Sequence, residues 1–137
     1  MKKLALVTAV ALGFAATTAA QAEKLRVKLS GYEETPSTLS SPGAAEFEAM
    51  ISPNGDAISW ELSYRDIPTP VLQAHIHFGQ RALSGGISIF LCTNLGNAPA
   101  GTTTAACPAI GGIIGGVITS VDVIGPAGQG IAPGELA

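Results

Sequence analysis

Apolar residues recur at every second position along most of this chain, and a period of two commits it to strands. Leu25, Val27 and Leu29 alternate with Lys24, Arg26 and Lys28. Successive strand side chains point to opposite faces, so this segment predicts a first strand with its apolar face buried and its cations on a solvated face. A Ser- and Pro-rich link follows from Tyr32 to Gly43. Ala45, Phe47, Ala49 and Ile51 then alternate with Glu46, Glu48 and Met50, and Ile58, Trp60, Leu62 and Tyr64 resume the pattern beyond Ser52-Pro53-Asn54-Gly55-Asp56. Those intervening residues are turn formers, so the two runs predict a hairpin with Trp60 and Tyr64 in the core.

Past Pro68 and Pro70, a further strand places Leu72, Ala74, Ile76 and Phe78 on one face and Gln73, His75 and His77 on the other. Gly79 and Gly85-Gly86 bracket a loop before a strand containing Ile87, Ile89 and Leu91. The apolar region from Ile110 to Ile124 is expected to hold one last strand, Val117 to Val121, reached through the paired glycines Gly111-Gly112 and Gly115-Gly116. Its glycines, β-branched residues and Asp122 argue against a membrane helix. From Gly125 onward the chain reads as loop. Six short strands with no intervening helix longer than a turn or two point to an all-β sandwich or barrel.

The first 22 residues follow a different logic. Lys2 and Lys3 precede an apolar run from Leu4 to Ala16, and Ala20-Gln21-Ala22 ends just before Glu23. Charged start, apolar run and small-residue triplet make a secretory signal peptide, with cleavage expected between Ala22 and Glu23. The run is too short to span a bilayer, which takes roughly 20 apolar residues. The expectation is an exported protein, periplasmic or extracellular, without a stable membrane span. Removing 22 of the 137 residues leaves 115, enough for a single domain from 23 to 137. That part sets five cations, Lys24, Arg26, Lys28, Arg65 and Arg81, against all ten acids, a net of −5. With no basic cluster beyond Lys24 to Lys28, a nucleic-acid surface is not expected.

Cys92 and Cys107 are the only cysteines. In an oxidising compartment an even pair reads as a disulfide, and no CxxC spacing or local base supports a metal-thiolate or catalytic thiol. Between them lie Asn94, Gly96, Asn97, Pro99, Gly101 and Thr102 to Thr104, a stretch with little to bury. Closing such a loop of about 15 residues contributes roughly 3 kcal/mol in the chain-entropy account.

Several segments together resemble a known family. They are Leu29-Ser30-Gly31-Tyr32-Glu33-Glu34-Thr35-Pro36, Gly43-Ala44-Ala45-Glu46-Phe47, Leu62-Ser63-Tyr64, Ala74-His75-Ile76-His77-Phe78-Gly79 and Gly116-Val117-Ile118-Thr119. In order and spacing, over about Leu25 to Ile131, they are similar to the CHRD domain, first described in chordin and common in exported bacterial proteins. The resemblance implies a β-sandwich, here antiparallel and Greek-key-like, and it brings no defined biochemical activity with it. Domains of this family continue with a segment resembling Tyr-Val-Asn-Val-His and a Gly-Gly-Glu-Ile-Arg-Gly strand, and Ile131 to Ala137 looks like the approach to that part. The expectation is therefore a C-terminally incomplete domain. In it the core faces of Leu25, Phe47, Trp60 or Ile89 lose cover, and unpaired sheet edges invite self-association.

One constellation suggests chemistry. His75 and His77 are the only histidines, and at positions i and i+2 of a strand they share a face. Two readings stay open for them: a solvated or loop-bonded pair, or a copper or zinc site completed by a carboxylate such as Glu33, Glu34 or Asp66, by water or by another subunit. Ala74 to Gly79 also resembles the first ligand strand of copper/zinc superoxide dismutases over about six residues, but that chemistry needs more histidines than this chain has. Glu33-Glu34 reads as an acidic loop, and Glu46 and Glu48 read as a solvated polar face. Ser84 lies in Ala82-Leu83-Ser84-Gly85-Gly86, which is no nucleophile elbow, and the glycines near Gly128 follow no dinucleotide-binding pattern. The sequence thus points to a non-enzymatic binding or structural module for a protein or cell-envelope ligand, with a metal-binding protein as the alternative.

Overall fold

The computed structural model describes residues 21–136. The charged start and apolar run of the expected leader lie outside the described residues. Within them the chain forms six strands: β1 (Glu23–Ser30), β2 (Ala44–Ile51), β3 (Ile58–Arg65), β4 (Gln73–Phe78), β5 (Gly86–Thr93) and β6 (Gly112–Ile118). All pairings between them are antiparallel, and the only helical elements described are single 3-10 turns.

The strands make two sheets, a four-stranded one ordered β1-β2-β3-β6 and a two-stranded one of β4 and β5. Register explains which face becomes core. Across the large sheet, Val27 stands opposite Phe47, Phe47 opposite Leu62, and Leu62 opposite Ile114. The apolar residues of four strands therefore line up in rows on one face, as the period of two demands. Leu62, Tyr64 and Ile118 from that face meet Ile89 and Leu91 of β5, with Val123 closing the cluster. This face-to-face contact makes the molecule an all-β antiparallel sandwich.

Two sequence expectations need correction. The last strand is β6, Gly112–Ile118, not Val117 to Val121, and Ser120–Asp122 is a 3-10 turn. The paired glycines belong to the strand because Trp60 requires them: a Cβ on Gly116 would lie 3.3 Å from the indole nitrogen, and one on Gly115 would lie 2.7 Å from the Trp60 carbonyl oxygen. A side chain at Gly115 would collide with the β3 backbone, and one at Gly116 would crowd the indole. The apolar face of β1 is also not buried. Leu25, Val27 and Leu29 remain 42%, 49% and 45% exposed. Two strands cannot cover four, and β4 and β5 sit over the half of the large sheet nearer β6. Phe47 and Trp60 at the boundary are half-buried and stacked with ring centres 6.3 Å apart. Ile89, by contrast, is only 6% exposed, so the expected loss of cover does not reach it.

On the outer face of β1 and β2 the cations are solvated as expected and pair across the strands. Arg26 bonds to Glu46 and lies 3.2 Å from Glu48, while Lys24 is 3.6 Å from Glu48. The guanidinium of Arg26 holds the Glu46 carboxyl below its ordinary range. Exposed pairs of this kind contribute little to stability.

Candidate functional site

The loop from Thr93 to Ile110 leaves its two large apolar side chains, Leu95 and Ile110, exposed, and it is held by polar bonds instead. At its base Cys92 and Cys107 form the expected disulfide, with Cys92 fully buried. Beside it Asn94 donates to the carbonyls of Val71 (2.8 Å) and Cys107 (3.0 Å) and accepts from the Cys107 N–H at 3.1 Å. The Thr93 hydroxyl donates to Asn97 at 2.7 Å, and Gln73 of β4 donates to the same oxygen at 3.0 Å. The Tyr64 hydroxyl donates to the Pro108 carbonyl.

The far side of the loop is fixed by a residue to which sequence reasoning gave no structural role. Asp122, only 3% exposed, accepts from the Thr103 N–H at 2.8 Å and hydroxyl at 2.9 Å, and from the Thr119 N–H at 2.9 Å. Burial by itself would raise its carboxyl, but these donors outweigh burial and hold it below the ordinary aspartate value. One carboxylate thereby ties the cysteine loop to the end of β6. The signal was present in Thr119-Ser120-Val121-Asp122, the spacing of a capping box, which the structure forms around its 3-10 turn.

His75 and His77 lie on the outer face of β4, opposite in direction to Ala74 and Ile76, which pack toward the core. Their ring centres are 4.8 Å apart at an interplanar angle of 86°. Ideal i, i+2 side chains on a strand leave their Cβ atoms roughly 6 to 7 Å apart, so the rings lean together. Register shifts in the β4–β5 ladder fall immediately before each histidine, between Ala74 and His75 and between Ile76 and His77. Irregularities of this type re-aim side chains. The Phe90 ring meets His75 edge to face at 5.4 Å. Burial, then the neighbouring His77, lowers the His75 pKa, which favours its neutral ring. His77 makes a 2.7 Å bond from Nδ1 to the Gly85 carbonyl oxygen. A carbonyl only accepts, so Nδ1 is the donor in this bond and Nε2 is the ring nitrogen left for another partner. Gly85 has to be glycine for that carbonyl to be there, since a Cβ would sit 1.6 Å from the Phe78 carbonyl oxygen.

The carboxylates expected to complete a metal site do not join the pair. Among the described residues no group of three or more His, Cys, Asp or Glu side chains is placed to hold a metal ion, so Glu33, Glu34 and Asp66 are not brought to His75 and His77. Asp66 instead pairs with Arg65.

The CHRD domain family pattern matches residues 25–122, from β1 through the Glu33-Glu34 turn and the His-x-His strand to Asp122. The chain belongs to the CHRD domain family. No curated protein and no solved structure matches it. The CHRD domain is not a known enzyme family, and membership supports a binding or structural module. No helix among the described residues is long and apolar enough to cross a membrane.

Proposed function

We propose that this CHRD domain is an exported, non-enzymatic binding module that engages other polypeptide through the bare half of its large sheet. The observation that carries the proposal is the width mismatch between the sheets, which leaves Leu25, Val27 and Leu29 about half exposed in a row. Leu29, Leu39, Ala45, Ile67 and Pro68 line a hollow at one end of that row. Among the described residues the outer edges of β1 and β4 carry no strand partner. An extended segment entering there gains backbone hydrogen bonds from an edge and apolar cover from the face, which is the physics of strand addition. Export is supported by the leader pattern and by the disulfide, a bond that suits an oxidising compartment.

The test is made on exported protein, whose N-terminal residue should be Glu23. Its mass in sedimentation should rise with concentration as copies or added strand peptides occupy the face, and Val27→Lys with Leu29→Lys should return it to a monomer with unchanged circular dichroism. Exported protein that retains Met1 would reject the processing. A monomer at every concentration, with no peptide bound and no difference between wild type and variant, would reject the binding face.

A further inference from the structure

We propose that His75 and His77 form a two-imidazole site for a divalent transition ion, Cu(II) foremost, on the outer face of the β4–β5 sheet, independent of the bare face of the large sheet. The spacing of the rings leaves room for one ion shared by two imidazoles. A metal–nitrogen bond of about 2.0 Å places the ion roughly 3.2 Å from a ring centre, so two rings meeting at about 90° to 109° have centres roughly 4.5 to 5.2 Å apart. The observed separation is 4.8 Å. A strand alone does not enforce this value; here a register shift precedes each histidine and the Phe90 ring flanks His75.

The second observation is the bond from His77 Nδ1 to the Gly85 carbonyl. Metal-binding histidines characteristically donate their other ring nitrogen to such an acceptor, which fixes the tautomer and aims the free nitrogen outward. Gly85 belongs to the β4–β5 turn, where a Cβ would collide with the Phe78 carbonyl, so turn and tautomer are set by the same glycine. With no acidic or thiol side chain joining the pair among the described residues, the remaining coordination positions go to water or to an incoming ligand. Such an open site exchanges its ion. Neutral imidazole together with the affinity order of divalent ions favours Cu(II) over Zn(II) at a site of this kind.

The test uses the untagged protein beginning at Glu23, titrated with Cu(II) against a weak competing chelator. One equivalent should bind, its paramagnetic resonance spectrum should show two coordinated nitrogens, and amide signals of His75, His77 and Gly85 should broaden first. His75→Gln and His77→Gln should each weaken binding tenfold or more, with the thermal melt of the metal-free variants unchanged. Should a variant fail to fold, the wild-type spectrum and the broadening pattern still decide. Equal binding by the double variant, a spectrum with fewer than two imidazole nitrogens, or broadening centred elsewhere would overturn the site.

Discussion

Replacing Asp122 by Ala should lower the stability of the domain by about 2 to 3 kcal/mol, because the N–H groups of Thr103 and Thr119 lose a charged acceptor and a hydrogen bond to a charged group is worth roughly 1.5 to 3 kcal/mol. For a domain of this size that corresponds to a fall in melting temperature of about 10 °C. Asp122→Asn should recover only part of the loss, since its amide nitrogen presents donors to donors.

The same residue sets an acid limb. Its carboxyl is held below the value of an unfolded aspartate, which is about 3.9. A lowered folded-state pKa contributes stability that is fully present above the unfolded value and is lost as pH falls through the folded one. Urea unfolding from neutral pH down to acid should show this loss in the wild type and not in Asp122→Asn. An identical acid limb in both proteins would show that Asp122 does not carry it.

Removing the disulfide should have an effect of comparable size. Cys92→Ala with Cys107→Ala releases a loop of 15 residues, worth roughly 3 kcal/mol in the unfolded chain. Unreduced protein should titrate no thiol, and two should appear after reduction in denaturant. Because the disulfide fixes the base of the loop and Asp122 its far side, the two changes act on one element. Once either anchor is gone the loop frays, and the other anchor secures less. The combined variant should therefore lose less than the sum of the separate losses, with an interaction of about 0.5 to 3 kcal/mol. Strict additivity would mean that the loop stays docked on either anchor alone.

How much of this was legible in the sequence follows from the range of the forces involved. Alternation of apolar and polar residues is a local property, and it located β1 to β5, the β2–β3 hairpin and the outward direction of His75 and His77, because a strand's side-chain direction depends only on parity. The CHRD pattern and the pairing of the only two cysteines were likewise readable from residues alone. Parity says which face is apolar, but it does not say how many strands arrive to cover that face. The exposure of Leu25, Val27 and Leu29 was therefore decided only when a two-stranded sheet packed on a four-stranded one. The boundaries of β6 were misplaced for a related reason: glycines weaken a strand by local propensity, and here Gly115 is required by the Trp60 backbone and Gly116 packs on its indole, both from a neighbouring strand. Asp122 shows the same limit in a polar group. Its capping spacing with Thr119 is written in four consecutive residues, whereas its bond to Thr103, 19 residues away, exists only because the cysteine loop folds back across the end of β6. At the histidine pair the sequence determined that two imidazoles share a face. Their 4.8 Å separation and the bond from His77 Nδ1 to the Gly85 carbonyl belong to the folded β4–β5 pair and its glycine turn, which no single strand encodes.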